Sequence, residues 1–404
     1  MAQTYKFGNG TWATKEGSTL AYSDTNNAFK PLPFSFERNS IGTRVNKEGL
    51  IEVVGNDIPR IDYKDSADGV LLLEPSRSNS VINSEPTSNE GSASGITYES
   101  FNWVIGFTNC VKFGDNSAIT YRYGGTVSAS TEYTLSVFII MDDLSEPFIT
   151  NSSVGGDFSL NIGNTIASGT NNPNVSMGNN IWRVSKTSVA NVTSSNNGII
   201  KYTTQSSKGF RVVGLQIEQG SYATSYIPTN GSTVQRAAET ANGSGNSEVF
   251  NDSEGVLFAD IAALTEIDTF RAISISSGSD NNRINIWYWN NGTFKIDSNS
   301  GANVQSNFDF DANMTLFNKI AFKYKQNDFC VFHNGFKIGI DTSGITPVGL
   351  SELSFDRANG AYPFYGKTKE IGYYDTVLTD AELETLTSYR SLSELVTELN
   401  LNTL

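Results

Sequence analysis

Asn285, Trp287 and Trp289 fall at every second position of the stretch RINIWYWNN. In an extended strand, period two sends them to one face, and sends Ile284, Ile286 and Tyr288 to the other. Indole rings offer flat apolar faces, and an amide beside them offers both a donor and an acceptor. That set suits a polyhydroxylated ligand, whose C–H faces stack on rings while its hydroxyls meet the amide. The same pattern also serves a strand buried on both faces, or a contact with another protein. A second aromatic group, Tyr362, Phe364 and Tyr365, lies in GAYPFYGK, a loop bounded by Gly and Pro. The candidate ligand-binding residues are therefore Asn285, Trp287, Trp289, Tyr362 and Tyr365.

Catalytic chemistry has little to draw on. The chain has one histidine, His333, just before an Asn-Gly turn, so any Ser-His-Asp or Cys-His mechanism would have to use it. That position predicts an exposed structural residue. Glycines are scattered through turns and form no phosphate-binding loop. Carboxylate pairs such as Asp309 with Asp311, Asp142 with Asp143, or Glu218 with a distant partner have the chemistry of a glycosidase. Among 42 acidic residues such pairs arise by chance. No catalytic residue and no enzyme activity are expected. Asp309 and Asp311 share a strand face in a way calcium ligands do. A solvated turn is the simpler account, and no cofactor is expected. The two cysteines, Cys110 and Cys330, sit in strand-like runs and read as buried free thiols.

These side chains need a scaffold, and the composition points to strands. Of 404 residues, 38% are hydrophobic and only 17% charged, with 36 glycines. This is a folded chain of short strands and turns. The net charge is −14 with no basic cluster, which argues against nucleic acid and anionic membrane. No apolar run approaches the roughly 20 residues of a membrane helix. The N-terminal MAQTYKFGNG lacks the features of a secretory signal.

Five segments are expected. Residues 1–85 read as a small docking or adaptor segment. It holds a hairpin turning at Asn46-Lys47-Glu48-Gly49 and a strand, Val70 to Leu73. Residues 86–231 read as a β-sandwich, with strands at Tyr133–Ile140, Ile181–Ser185 and Phe210–Glu218. Residues 232–247 are polar and Gly-rich and read as a linker. Residues 248–390 read as a second sandwich. Its clearest hairpin turns at Asn334-Gly335, where positive φ is needed twice. Thr379 with Glu382 has capping-box spacing, and Leu378 with Leu383 has staple spacing. Residues 391–404 read as an amphipathic helix. Ser391 and Glu394 cap it, and Leu392, Leu395, Val396 and Leu399 form a stripe that packs on the sandwich or joins copies. The fold class is all-β, with two sandwiches after the N-terminal segment and a short C-terminal helix.

Several phrases resemble a known group. GTRVNKEGLIEVVGNDIPRIDY and GVLLLEPSRSNSVINSE are similar to the N-terminal segment of tailed-bacteriophage virion structural proteins. IWRVSKT with VVGLQIEQGSYATSYIPTNGSTVQRAAE resembles the jelly roll, like a carbohydrate-binding module, that follows it there. GVLFADIAAL, FNKIAFKYKQNDFCVFHNGFKI and KEIGYYDTVLTDAELETLT resemble a concanavalin A-like or laminin-G-like sandwich. The resemblance runs from about Phe34 to Leu386. It implies a protein on the virion exterior, in a tail or head fibre or appendage, made in the host cytoplasm. It also implies a homotrimer that contacts other virion proteins and binds host-surface polysaccharide; the lack of a long apolar run adds the expectation of no membrane insertion. Two other readings stay open. One is a structural decoration or connector protein that binds no sugar, with Trp287 and Trp289 packed against protein. The other is a polysaccharide-degrading tail enzyme.

Overall fold

Strand pairing dominates the chain. A computed structural model describes residues 3–25, 28–88, 95–114, 119–265, 269–399 and 401. It is all-β apart from two short C-terminal helices, and its strands form two compact units.

Unit 1 comprises Met1–Asn39, Asn56–Pro75 and Ala238–Leu404. A twelve-stranded sheet packs against a five-stranded sheet. Between them lie Phe7, Phe34, Leu257, Ile284, Ile286, Phe294, Phe322 and Ile371, all essentially inaccessible. Each such side chain contributes roughly 1.5–3 kcal/mol on burial. The expected Asn334-Gly335 hairpin is present, and a second one precedes it. Phe329–His333 pairs with Phe336–Asp341 through Asn334 and Gly335, whose φ values are +47° and +87°. Arg283–Tyr288 pairs with Thr293–Ser300, with Tyr288 opposite Phe294.

The expected boundary at residue 85 is not where the chain divides. Tyr5–Gly8 pairs with Gly366–Tyr374, placing Tyr5 opposite Tyr373, and Val70–Leu73 pairs with the same strand. Tyr5, Phe7, Phe34, Phe36, Leu71 and Leu73 are thereby buried in the core of unit 1. A segment this short cannot enclose a core of its own, so its strands complete a larger one. Residues 232–247 are likewise no free linker. They contain strands Val234–Arg236 and Thr240–Asn242, and Arg236, Glu239, Ala241 and Ser244 are buried.

Unit 2 comprises Ser40–Gly55 and Ser76–Ala237. A seven-stranded sheet faces a three-stranded one across Val111, Phe113, Leu135, Ile139, Leu160, Ile199 and Val212. The expected strands appear as Glu132–Met141, Ile181–Val189 and Phe210–Gln219. Gly214 sits in the last of these at φ +65°, opposite a bulge between Ser136 and Phe138. A Cβ there would lie 2.6 Å from the Phe138 ring, so only glycine fits. After this strand the chain turns back. Glu218 is buried and accepts from the Thr224 amide (2.8 Å), the Thr224 hydroxyl and Gln216, which fastens the turn. Tyr226 then packs against Phe107 and Phe138. Cys110 and Cys330 are both free and buried, as expected.

Helix α1 (Asp380–Thr387) starts at the predicted capping box, with both reciprocal bonds between Thr379 and Glu382 made. Leu378 and Leu383 are buried together with Phe258 and Phe332, completing the staple. Helix α2 (Leu392–Glu398) is shorter than the expected 391–404, of which residues 400 and 402–404 lie outside the described residues. Its box is half made. The Ser391 hydroxyl accepts from the Glu394 amide (3.0 Å), but the Glu394 carboxylate bonds Lys319 and the Arg390 amide instead. The Leu392 stripe does not bury itself on the sandwich: α2 has no buried residue, and Leu392 is 71% exposed. The surface beneath it is charged. Lys319 holds Glu394 and Lys369 holds Glu398, so the helix docks by its acidic face.

Candidate functional site

The five-stranded sheet of unit 1 turns its second face away from the core, and register fixes what that face displays. One row across the strands reads Ser354, Ser274, Asn285, Asp297, Asn307. The next reads Ala272, Trp287, Lys295, Asp309. A third reads Glu352, Ser276, Arg283, Asn299. The alternation expected from the sequence therefore holds: Ile284, Ile286 and Tyr288 are in the core, and Asn285 and Trp287 face the other way.

Four aromatic rings close over one end of this face. Trp287 meets Trp289 (5.6 Å between centroids) and Tyr362 (5.8 Å); Phe270 meets Trp289 (4.3 Å) and Tyr362 (5.4 Å). All four contacts are edge-on, the favoured geometry for ring quadrupoles. Cations flank them. The Lys295 ammonium lies 4.5 Å from the Trp289 ring centre, and the Arg357 guanidinium 5.8 Å from Trp287 and 5.7 Å from Tyr362. Asp280 holds Arg357 in place (3.1 Å) and accepts from Asn359 (2.8 Å).

Exposure separates the candidates. Asn285 is wholly inaccessible and Trp287 is 3% exposed. Both are bound to Asp297: Asn285 Nδ2 donates to Oδ1 at 2.6 Å, and the Trp287 indole N–H to Oδ2 at 3.2 Å. Burial raises the Asp297 pKa, against the bonds from Asn285 and the nearby charge of Arg283. Trp289 is half-buried, and Tyr362 is 38% exposed. Tyr365 is not brought to this cluster. It packs against Arg271 (5.0 Å), whose register places it beside Tyr288 on the core side. Phe270 was missed by sequence reasoning because it sits in an aperiodic loop with no signal of its own.

Polar side chains on and beside this face carry unused bonding capacity. Ser274 Oγ, Asn285 Oδ1, Asn299 Oδ1, Asp356 Oδ1 and Arg283 Nε are buried without hydrogen-bond partners among the described residues. A buried unpaired group of this kind costs about 1–3 kcal/mol, and native folds carry few. Here four belong to one sheet face, and Asp356 follows its edge strand Glu352–Ser354. The loop above them is strained as well. Tyr362 has φ +53° and Ala358 φ +66°, and the Ala272 amide pins the loop by donating to Tyr362 O (3.0 Å). Non-glycine residues held in this region cost of order 1–3 kcal/mol and cluster at ligand sites.

The other sequence candidates are dispersed. Asp309 and Asp311 are exposed on the strand Asn303–Asp311, and Asn307 bonds Asp309. Among the described residues no group of three or more His, Cys, Asp or Glu is placed to hold a metal ion. Asp142 pairs with Arg211 and Lys112, and Asp143 with Lys208. His333 is half-buried rather than exposed. Its ring lies 4.8 Å from Phe310, its Nε2 bonds Asn318 (2.8 Å), and burial lowers its pKa to about 4.

A separate polar recess of about 420 Å³ lies on the helix-covered side of unit 1, lined in part by Asp260, Lys319, Lys369, Glu370 and Glu398. Burial lifts the Asp260 carboxyl to about 7, and its Oδ1 has no hydrogen-bond partner among the described residues.

No family model matches the chain, and no curated protein matches it. Solved β-sandwich structures do. The CBM40 module of the Ruminococcus gnavus IT-sialidase, bound to α2,3-sialyllactose, aligns at 19% identity and TM-score 0.31, covering 36% of this chain and 94% of that one. The leech intramolecular trans-sialidase aligns at 19% identity and TM-score 0.31, covering 37% of this chain and 26% of that one. Domain 4 of AbnA, a GH43 extracellular arabinanase of Geobacillus stearothermophilus in complex with arabinotriose, aligns at 13% identity and TM-score 0.31, covering 42% and 84%.

Proposed function

We propose that the protein is a non-enzymatic structural component of a tailed-phage virion that binds host-surface glycan through the outer face of the five-stranded sheet in unit 1. The observation that carries the glycan reading is the closed ring of Phe270, Trp287, Trp289 and Tyr362 at one end of that face. Rings supply stacking surface, and the flanking Lys295 and Arg357 supply donors for hydroxyls. Trp289 and Tyr362 are the accessible contacts, while Trp287 and Asn285 form the supporting layer. The acids nearby are engaged, Asp297 by Asn285 and Trp287 and Asp280 by Arg357 and Asn359, which favours binding over hydrolysis. The virion setting is supported by the sequence phrases that resemble fibre and appendage proteins. In that setting the chain is a homotrimer on the particle exterior, in contact with other virion proteins. Many copies then multiply a weak contact.

The test is glycan-array binding by the full chain beside a Trp289→Ala/Tyr362→Ala variant of unchanged melting temperature. Specific binding lost in the variant supports the reading. Absence of binding by folded wild type replaces it with a decoration or connector role.

A further inference from the structure

The helix-covered side of unit 1 holds acids that the ring cluster does not use. Strand Glu254–Ala263 runs between Asn318–Lys325 and Gly366–Tyr374. Register sets Asp260 opposite Lys319 on one side and opposite Glu370 on the other. Directly opposed residues share a sheet face. The three therefore form one row, and all three line the polar recess of about 420 Å³. The pairing slips by one residue next to Asp260, which leaves Lys369 without an opposite number. A bulge of this kind re-aims a side chain, and Lys369 lines the recess beside Glu370.

Two cations here could neutralise two acids, but α2 takes the cations instead. The Lys319 ammonium donates to Glu394, and the Lys369 ammonium to Glu398. Asp260 and Glu370 are left in no ion pair among the described residues. Asp260 is 7% exposed, and its Oδ1 has no hydrogen-bond partner among the described residues. Burial holds the Glu370 carboxyl above its ordinary range as well. Five acidic side chains line the recess against three basic ones. Neighbouring strands lie about 4.8 Å apart, a spacing that one ammonium spans, donating to a carboxylate on either side. An ammonium carries three donors and no acceptor, which suits two unpaired acceptors. An anion would meet lysines already engaged. An apolar guest would leave Asp260 Oδ1 buried and unpaired.

We propose that this recess binds a small organic cation through a primary ammonium seated between Asp260 and Glu370, with α2 holding Lys319 and Lys369 away from those two acids. The site lies on the twelve-stranded sheet and does not depend on the glycan reading of the five-stranded one. The test is calorimetric titration of the full chain with cadaverine and with n-butylamine, at pH 8 and about 0.15 M salt, where exposed charges are largely screened. Tetramethylammonium, which has the charge without N–H donors, is the control. Wild type is expected to bind both amines and not the control. Affinity is expected to fall about tenfold or more in Asp260→Asn and in Glu370→Gln, the loss of one charged hydrogen bond. Glu394→Gln/Glu398→Gln releases both lysines to the two acids. It is expected to weaken amine binding by a similar factor while keeping its fold, since α2 has no buried residue. Three results overturn the proposal. Equal affinity for tetramethylammonium reduces the effect to general attraction by a negative surface. Affinity unchanged in both Asp260→Asn and Glu370→Gln places the cation elsewhere. No binding of either amine by folded wild type leaves the recess a hydrated groove.

Discussion

Arg60 grips Glu239 with two parallel hydrogen bonds, Nε to Oε1 at 2.8 Å and Nη2 to Oε2, and neither side chain touches solvent. Arg38 shares Oε1 (2.8 Å), and Arg60 also reaches Glu74 (2.9 Å). The chain crosses between units after Asn39, Gly55, Pro75 and Ala237, and each crossing has one of these four residues close by in sequence. The network thus ties four strand ends together inside unit 1. Breaking a buried pair from one side is far more costly than the pair's net worth, because it strands a charge. Glu239→Ala is expected to lower the stability of unit 1 by about 3–5 kcal/mol, read from denaturant unfolding. A loss below about 1 kcal/mol would mean that water replaces the carboxylate without penalty.

Lys186, a buried cation of unit 2, has no carboxylate partner among the described residues. Lys186 is wholly inaccessible, and its ammonium donates to Asn151 Oδ1 and to the carbonyls of Leu160, Thr165 and Ile166 at 2.8–3.2 Å. Burial lowers its pKa to about 8, so it remains mostly charged at neutral pH. Lys186→Met keeps the length but leaves four oxygens without their donor. At about 1–3 kcal/mol for each group left unpaired, the variant is expected to be markedly destabilised. Thermal melting at pH 7 checks this, and an unchanged melting temperature would sink it.

Asp260 predicts a pH effect of definite sign. Burial raises its folded pKa to about 7, with smaller opposing contributions from Lys369 and Lys319. An unfolded aspartate titrates near 4. Between these values the folded state binds the extra proton, so stability is greatest at low pH and is lost as pH rises through about 7. Asp260→Asn removes the titration. The variant is expected to melt higher than wild type at pH 8 and about equally at pH 4. Equal melting at pH 8 would place the ionised carboxylate in contact with water through the recess.

Local chemistry made much of the fold legible. The Asn334-Gly335 turn, the Thr379 capping box and the period-two strand at Asn285 each announce themselves within a few residues. The partners of Tyr5, Arg38 and Glu239 do not. Tyr5 pairs with Tyr373, and Glu239 bonds residues up to 201 positions away, so nothing nearby marks those charges as buried. The candidate site was half legible for the same reason. Alternation gave the face of Trp287 and Asn285. Their burial depends on the loop carrying Tyr362 and on Phe270, which approach only in the folded chain.

That difference in burial separates two roles that the sequence runs together. Trp289 is half-buried, whereas Trp287 is 3% exposed and bonded to Asp297. Trp287→Ala removes a core-like ring and leaves Asp297 with only Asn285. A loss of about 3–5 kcal/mol is expected, with the near-UV signal of the cluster altered. Asp297→Asn keeps the shape but offers one acceptor in place of two, so either Asn285 or Trp287 keeps an unpaired donor. A smaller loss of about 1–3 kcal/mol follows. Trp289→Ala is expected to change stability by under about 1 kcal/mol while weakening glycan binding about tenfold or more. Melting and binding measured on the same three variants decide the point. If Trp289→Ala destabilises the protein as much as Trp287→Ala, the rings are a packing cluster and the glycan reading of this face falls.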